Sequence, residues 1–264
     1  MSLKTLSIKD IRQGNAPRLQ DIYKILASSS ELSSLALSDL SGIVDAEGFH
    51  AEPVLLPCLR KVEICDVGEQ TTIALARLLR AENLHELTVL VQSRSTTNIS
   101  DFRALLRPTN SGSLLPLIIR NQRWKAIYVK VCHTSLDISD TGGTRGVTPA
   151  PLSLRIQGAP GIQLLLLFGS RDRGYNIDLD ITESRLKSED LDRALRLIDP
   201  SVLRVGPDRT APTMAALSAT PPPSQEWFCP NLEENRKDSE GKEWISSLSR
   251  ASKAVGVQCV WKGF

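Results

Sequence analysis

An α/β solenoid is the fold class this sequence predicts, with a parallel sheet on its concave face and helices and irregular segments on its convex face. Three observations predict it. Four stretches superpose on one another: Leu3-x-x-Leu6-x-Ile8, Leu32-x-x-Leu35-x-Leu37, Leu59-x-x-Val62-x-Ile64 and Leu84-x-x-Leu87-x-Val89, starting 29, 27 and 25 residues apart. Apolar side chains alternate within each stretch and then give way to helical spacing. The 264 residues are 41% hydrophobic but only 5% aromatic, so aliphatic side chains must fill the core.

A repeat of this length and pattern is a leucine-rich repeat. Alternate residues of a strand share a face. Leu6 with Ile8, Leu35 with Leu37, Val62 with Ile64 and Leu87 with Val89 therefore enter the core as pairs. Three units continue with Asp and an apolar residue, Asp10-Ile11, Asp39-Leu40 and Asp66-Val67. The carboxylate is expected to accept backbone N–H groups in the turn that follows. Leu19, Ile22, Ile25 and Leu26 fall on one helical face, as do Leu75, Leu78 and Leu79. Gly42, Gly48 and Pro53 break the span before the third strand.

Beyond residue 92 the period loosens. Trp124-x-x-Ile127-x-Val129 repeats the motif after a long insert, whose helix is expected over Ile99, Phe102, Leu105 and Leu106. Leu152-x-Leu154-x-Ile156 and Ile177-x-Leu179-x-Ile181 alternate as strands. Leu186, Leu191, Leu195 and Ile198 keep helical spacing up to Pro200, and 202–205 reads as a short strand. The expected division is a solenoid over 1–206, regular to about 91, then a Pro/Ala/Ser-rich linker over 207–225 and a repeat-like segment over 226–264. That segment holds a helix at Trp244, Leu248 and Ala251 and a terminal strand from Val257 to Trp261.

The pattern Leu-x-x-Leu-x-Leu-x-Asp-apolar, followed by a helix such as Ile73–Leu84, resembles the repeats of F-box leucine-rich-repeat proteins, in particular the divergent fungal sets. Leu55-Leu-Pro-Cys-Leu-Arg-Lys-Val62 and Trp227-Phe-Cys-Pro-Asn-Leu232 carry the same lead of a Pro before the repeat leucine. The good match runs from residue 1 to about 91. The resemblance implies a solenoid that captures a protein substrate for a ubiquitin ligase. Docking on the cullin-ligase adaptor is the task of a separate F-box. The first repeat begins at Leu3, so adaptor binding is expected only if an F-box lies upstream. No polar cap precedes that first repeat, although a solenoid end needs one for solubility.

Function is expected at the outward strand positions, the extended face by which repeat proteins hold partners. The candidate partner-binding residues there are Lys4, Lys9, Arg60, Lys61, Glu63, His85, Glu86, Lys125, Tyr128 and Lys130, with Tyr128 the preferred anchor because Tyr is enriched at hot spots. A one-sign stripe across this face would favour binding; scattered Ser and Ala would favour a scaffold or a remnant of an expanded family. A hydrolase built in the second half is the third reading.

No enzyme is expected. Asp140-Thr141-Gly142 matches the aspartic-protease signature, but that chemistry needs two carboxylates sharing a proton, from a second copy of the signature or from a symmetric dimer; the chain has no second copy, and the run from Asp140 to Pro151 reads as an inter-strand loop. His50, His85 and His133 show no metal-ligand spacing, and no Gly-rich phosphate loop occurs, so no cofactor or metal is expected. Net charge is +2, from 32 basic and 30 acidic residues without a concentrated basic footprint, so no nucleic-acid partner is expected. The five cysteines are scattered without a paired motif, as in a reducing compartment. No apolar leader follows Met1, and the longest apolar run, Ile162–Phe168, is too short to span a membrane. The expected location is cytoplasmic or nuclear, off the membrane, and the sequon Asn98-Ile99-Ser100 is expected to be fortuitous.

Overall fold

The alternating stretches form parallel strands in a mixed α/β structure. The structure is a computed structural model and describes residues 3–9, 17–40, 51–93, 98–106, 114–115, 118–119, 126–140, 151–168, 176–184, 188–198, 200 and 202–204. Asp10, Gly42, Gly48, His50, Trp124, Lys125, Leu186 and everything proposed for 205–264 lie outside these residues. The chain divides into two units, Met1–Trp124 with Asp137–Ala159, and Lys125–Leu136 with Pro160–Phe264.

In the first unit, β1 (Thr5–Lys9), β2 (Ser34–Ser38), β4 (Lys61–Cys65), β6 (Glu86–Gln92) and β9 (Leu152–Gln157) pair in that order, all parallel. The register follows the four superposed stretches: Leu6 pairs with Leu35, Leu35 with Val62 and Val62 with Leu87. One backbone pattern recurs at each entry. Lys4 O accepts from Ser33 N and Ser34 N, Ser33 O from Arg60 N and Lys61 N, and Arg60 O from His85 N and Glu86 N. The inward side chains of β2, β4 and β6 are at most 1% exposed. On β1 they are only half-buried, because this strand has a neighbour on one side among the described residues. The strand beside β6 is β9, with Leu87 opposite Leu152.

Parallel pairing requires crossovers, and helices carry several of them, although none is described between β2 and β4. The first, α1 (Leu19–Ala27), buries Leu19, Ile22 and Leu26 and leaves Ile25 36% exposed. The second, α2 (Glu69–Leu78), ends before Leu79, the last residue expected on its apolar face, and well before Leu84. Leu79–Arg80 is instead a two-residue strand, β5, paired in parallel with β3 (Val54–Leu55). The insert after β6 holds a 3-10 turn over Ile99–Phe102 that runs into α3 (Arg103–Leu106). The sequon asparagine starts that turn: Asn98 Oδ1 accepts from Ser100 N at 3.1 Å.

Asp39 and Asp66 have φ of 54° and 52°. Their N–H groups donate to Cys65 O and Leu90 O, prolonging the ladder by one residue. The left-handed step then turns the chain so that Leu40 and Val67 enter the core. Short polar residues tolerate that conformation. At Asp66 the expected acceptor role is not met by Oδ1, which is buried without a hydrogen bond, whereas Asp10 and the turn beyond Leu40 lie outside the described residues.

In the second unit, β7 (Ala126–Val131), β10 (Asn176–Asp180) and β11 (Val202–Arg204) pair in parallel, with β10 between the other two. Here α4 (Gly161–Phe168) packs on β7 and on α5 (Ser188–Ile198). Gly161 allows a close approach: a Cβ there would lie 2.2 Å from Ser135 O and 2.4 Å from Cys132 O. The last strand, β8 (Ser135–Asp140), straddles the division of the chain. Among the described residues no sheet closes into a barrel. Among the described residues no helix is long and apolar enough to cross a membrane.

Candidate functional site

Strand pairing arranges the outward side chains of the first unit in rows. Thr5, Ser34, Lys61 and Glu86 form one row, and Ser7, Ala36, Glu63, Thr88 and Ser153 the next. Lys9, Ser38, Cys65, Leu90 and Arg155 form a third. The charges along them oppose one another. Lys61 Nζ lies 2.9 Å from Glu86 Oε2, and Lys9 Nζ lies 3.8 Å from Glu63 Oε1. The hydrogen bond and charge of Glu86 raise the Lys61 ammonium pKa. These pairs are exposed and contribute little to stability. Their consequence is electrostatic: the face carries no one-sign stripe, and small Ser, Ala and Thr side chains separate the pairs. Arg155 reaches Asp137 with two hydrogen bonds, 3.0 and 2.9 Å. Lys4, Arg60 and His85 are exposed at successive strand entries, with Arg60 O accepting from His85 N at the neighbouring strand. Burial raises the Cys65 thiol above its ordinary range.

A denser polar cluster lies in the second unit, on the outward side of β7 and β10. The register sets Tyr128 opposite Asp178 and Lys130 opposite Asp180. Tyr128 Oη donates to Asp180 Oδ2 at 2.5 Å, while Thr182 N and Oγ1 donate to Asp180 Oδ1 at 3.0 and 2.7 Å. Asp180 is 8% exposed. Burial alone would raise its carboxyl pKa, but the Tyr128 and Thr182 hydrogen bonds and the Lys130 charge outweigh it and hold the group below its ordinary value. Lys130 Nζ donates to Glu183 Oε1 at 2.6 Å, which raises the ammonium and lowers the carboxyl. Cys132 Sγ donates to Glu183 Oε2 at 3.5 Å, and burial pushes this thiol up.

Asp180 and Glu183 thus favour the carboxylate, Lys130 the ammonium and Cys132 the thiol at neutral pH. Hydrogen bonds join Tyr128 to Asp180 and tie Lys130 and Cys132 to Glu183. Tyr128 and Lys130 lie on one face of β7, and Asp180 takes a hydrogen bond from the first and the charge of the second. Asp180, Thr182, Glu183 and Cys132 complete the cluster and were not singled out. The alternation of Asn176-Ile-Asp-Leu-Asp180 carries the signal that two acids share one strand face.

Asp140 ends β8, with Oδ1 buried and without a hydrogen bond, and burial raises its carboxyl pKa. Thr141 and Gly142 lie outside the described residues. His133 is exposed in the turn after β7. Among the described residues no three His, Cys, Asp or Glu gather as metal ligands, and Cys58, Cys65 and Cys132 are free thiols. Comparison with protein-family models, with curated proteins and with solved structures found no match.

Proposed function

We propose that this chain is an intracellular leucine-rich-repeat solenoid that binds a protein partner on the outward face of its strands and catalyses no reaction itself. The observation that carries the reading is Tyr128: a half-buried ring on a strand face, its hydroxyl held by a buried carboxylate. An aromatic side chain fixed in one position loses little freedom on binding, the property of an interface anchor. The recurring entry bonds at Lys4, Ser33 and Arg60 support the repeat reading, since each unit meets the next in the same way. Through the resemblance of residues 1 to about 91, the specific form proposed is the substrate-recognition part of an F-box-type ubiquitin ligase. Adaptor contact then depends on an F-box upstream.

A non-catalytic scaffold is the second reading. It is favoured by the self-paired charges and the small side chains of the first unit's face.

The test is affinity purification from the native cell with the tag at the C-terminus of the endogenous gene. Recovery of a protein partner, with cullin and adaptor in the ligase form, is expected for the wild type. Tyr128→Ala should lose it. A Tyr128→Ala chain that folds and keeps every partner would move the reading to the scaffold.

A further inference from the structure

The outer edge of β1 is open among the described residues. β1 pairs with β2 in parallel from Thr5 opposite Ser34 to Lys9 opposite Ser38, and Lys4 O accepts from Ser33 N and Ser34 N at 2.8 and 3.2 Å. Backbone groups of successive strand residues point to alternate sides. Lys4, Leu6 and Ile8 therefore address β2, and Thr5, Ser7 and Lys9 turn their N–H and C=O groups the other way. No described strand pairs with β1 on that side. Apolar exposure gathers at the same end. Leu6 and Ile8 are half-buried, whereas Leu35, Leu37, Val62 and Ile64 are at most 1% exposed; Leu3 is 40% exposed. An unpaired strand edge of this kind is a template for a further strand.

We propose that this edge is a self-association surface, on which β1 of a second copy of this chain adds antiparallel with the two-fold axis at Ser7. A two-fold interface must be self-complementary, and this strand is. Ser7 meets Ser7, Thr5 meets Lys9 of the second copy, and Leu6 meets Ile8. The three residues that address the free edge thus pair among themselves, as a hydrogen-bonded antiparallel ladder requires. The Leu6–Ile8 pairs extend the apolar row on the inward side. Charge selects the register. An axis at Thr5 or Leu6 sets Lys4 against Leu6 or Ile8, and an axis at Lys9 sets lysine on lysine. An axis at Ile8 leaves Leu6 beyond the last residue of the partner strand. The axis at Ser7 keeps each lysine of the strand away from lysine and from apolar side chains.

Sedimentation equilibrium of the full chain, from micromolar to hundreds of micromolar, tests this. A monomer–dimer equilibrium is expected, with a limiting mass twice the 29.0 kDa of the chain. Ser7→Pro removes the central edge N–H and leaves the bonds to β2, and proline is tolerated on an edge. It should stay monomeric throughout with an unchanged circular-dichroism spectrum. Thr5→Glu places a carboxylate opposite Lys9 twice per dimer and should tighten association several-fold, while Thr5→Lys should weaken it several-fold. A wild type that stays monomeric overturns the proposal, as does a dimer that Ser7→Pro leaves intact. Equal effects of the two Thr5 variants overturn the register. Hydrogen-exchange protection of the Thr5, Ser7 and Lys9 amides that does not depend on concentration would assign the edge to another segment of the same chain and overturn it too.

Discussion

Tyr128 and Asp180 show how one hydrogen bond links stability to pH. Tyr128→Phe keeps the ring and removes a donor from a carboxylate that is 8% exposed. The expected loss is roughly 1–3 kcal/mol of unfolding free energy at neutral pH, read by urea denaturation. The carboxyl of Asp180 is held below its ordinary value of 3.8 in the folded chain. Its contribution is therefore fully present above that value and is lost as pH falls through the folded pKa. The gap between wild type and Tyr128→Phe should accordingly be constant near neutrality and shrink below about pH 4. Backbone strain can be separated from collision at two glycines. Gly68 has φ of 96° with nothing within 4 Å of a built Cβ; Gly158 has φ of 82° with Ser93 O at 2.3 Å. Gly68→Ala should cost about 1–3 kcal/mol, because φ of 96° with ψ of 145° is a backbone region open essentially to glycine alone. Gly158→Ala should cost measurably more in the same denaturation series.

At the scale of elements, shared burial across strands makes the first unit's core cooperative. Leu35 is 0% exposed, between β1 and β4. Leu35→Asp buries an unpaired carboxylate and should cost more than about 4 kcal/mol, removing the unit's melting transition. Ile8→Asp, on the half-buried first strand, should only lower that transition. Equal melting of the two variants would deny the shared core.

Much of this architecture is legible in the chain, because alternation at Leu35 and Leu37, Val62 and Ile64, or Leu152 and Leu154 follows directly from one buried face per strand. The rest is hidden for definite reasons. Ile162–Phe168 is apolar without a period, so nothing in it distinguishes the helix it forms from a buried strand. Two-residue strands such as Val54–Leu55 and Leu79–Arg80 are too short to show any period. The pairing of β6 with β9 joins residues far apart in sequence, which no local period reports. Ser135–Asp140 does alternate, with Leu136 and Ile138 buried, and could have been read as a strand. Of the cluster, Tyr128 and Lys130 are readable as outward residues of one strand. Thr182 and Glu183 follow the end of β10, and only the fold brings them to Asp180 and Lys130.

For the molecule as a whole, the central claim is that the outward face of the strands is where a partner binds. Two changes address outward strand positions, one in each unit. Lys61→Glu combined with Glu86→Lys keeps the ion pair and reverses its polarity, and Tyr128→Ala removes the proposed anchor. Lys24→Glu on the exposed side of α1 serves as a control. The most direct measurement is quantitative affinity purification of these three variants beside the wild type, each first shown to be folded by circular dichroism. The account predicts that the partner is lost or reduced at least tenfold, about 1.4 kcal/mol or more, with Tyr128→Ala and reduced with the polarity swap, and is retained with Lys24→Glu. Retention by both face variants, or loss with Lys24→Glu alone, would contradict it.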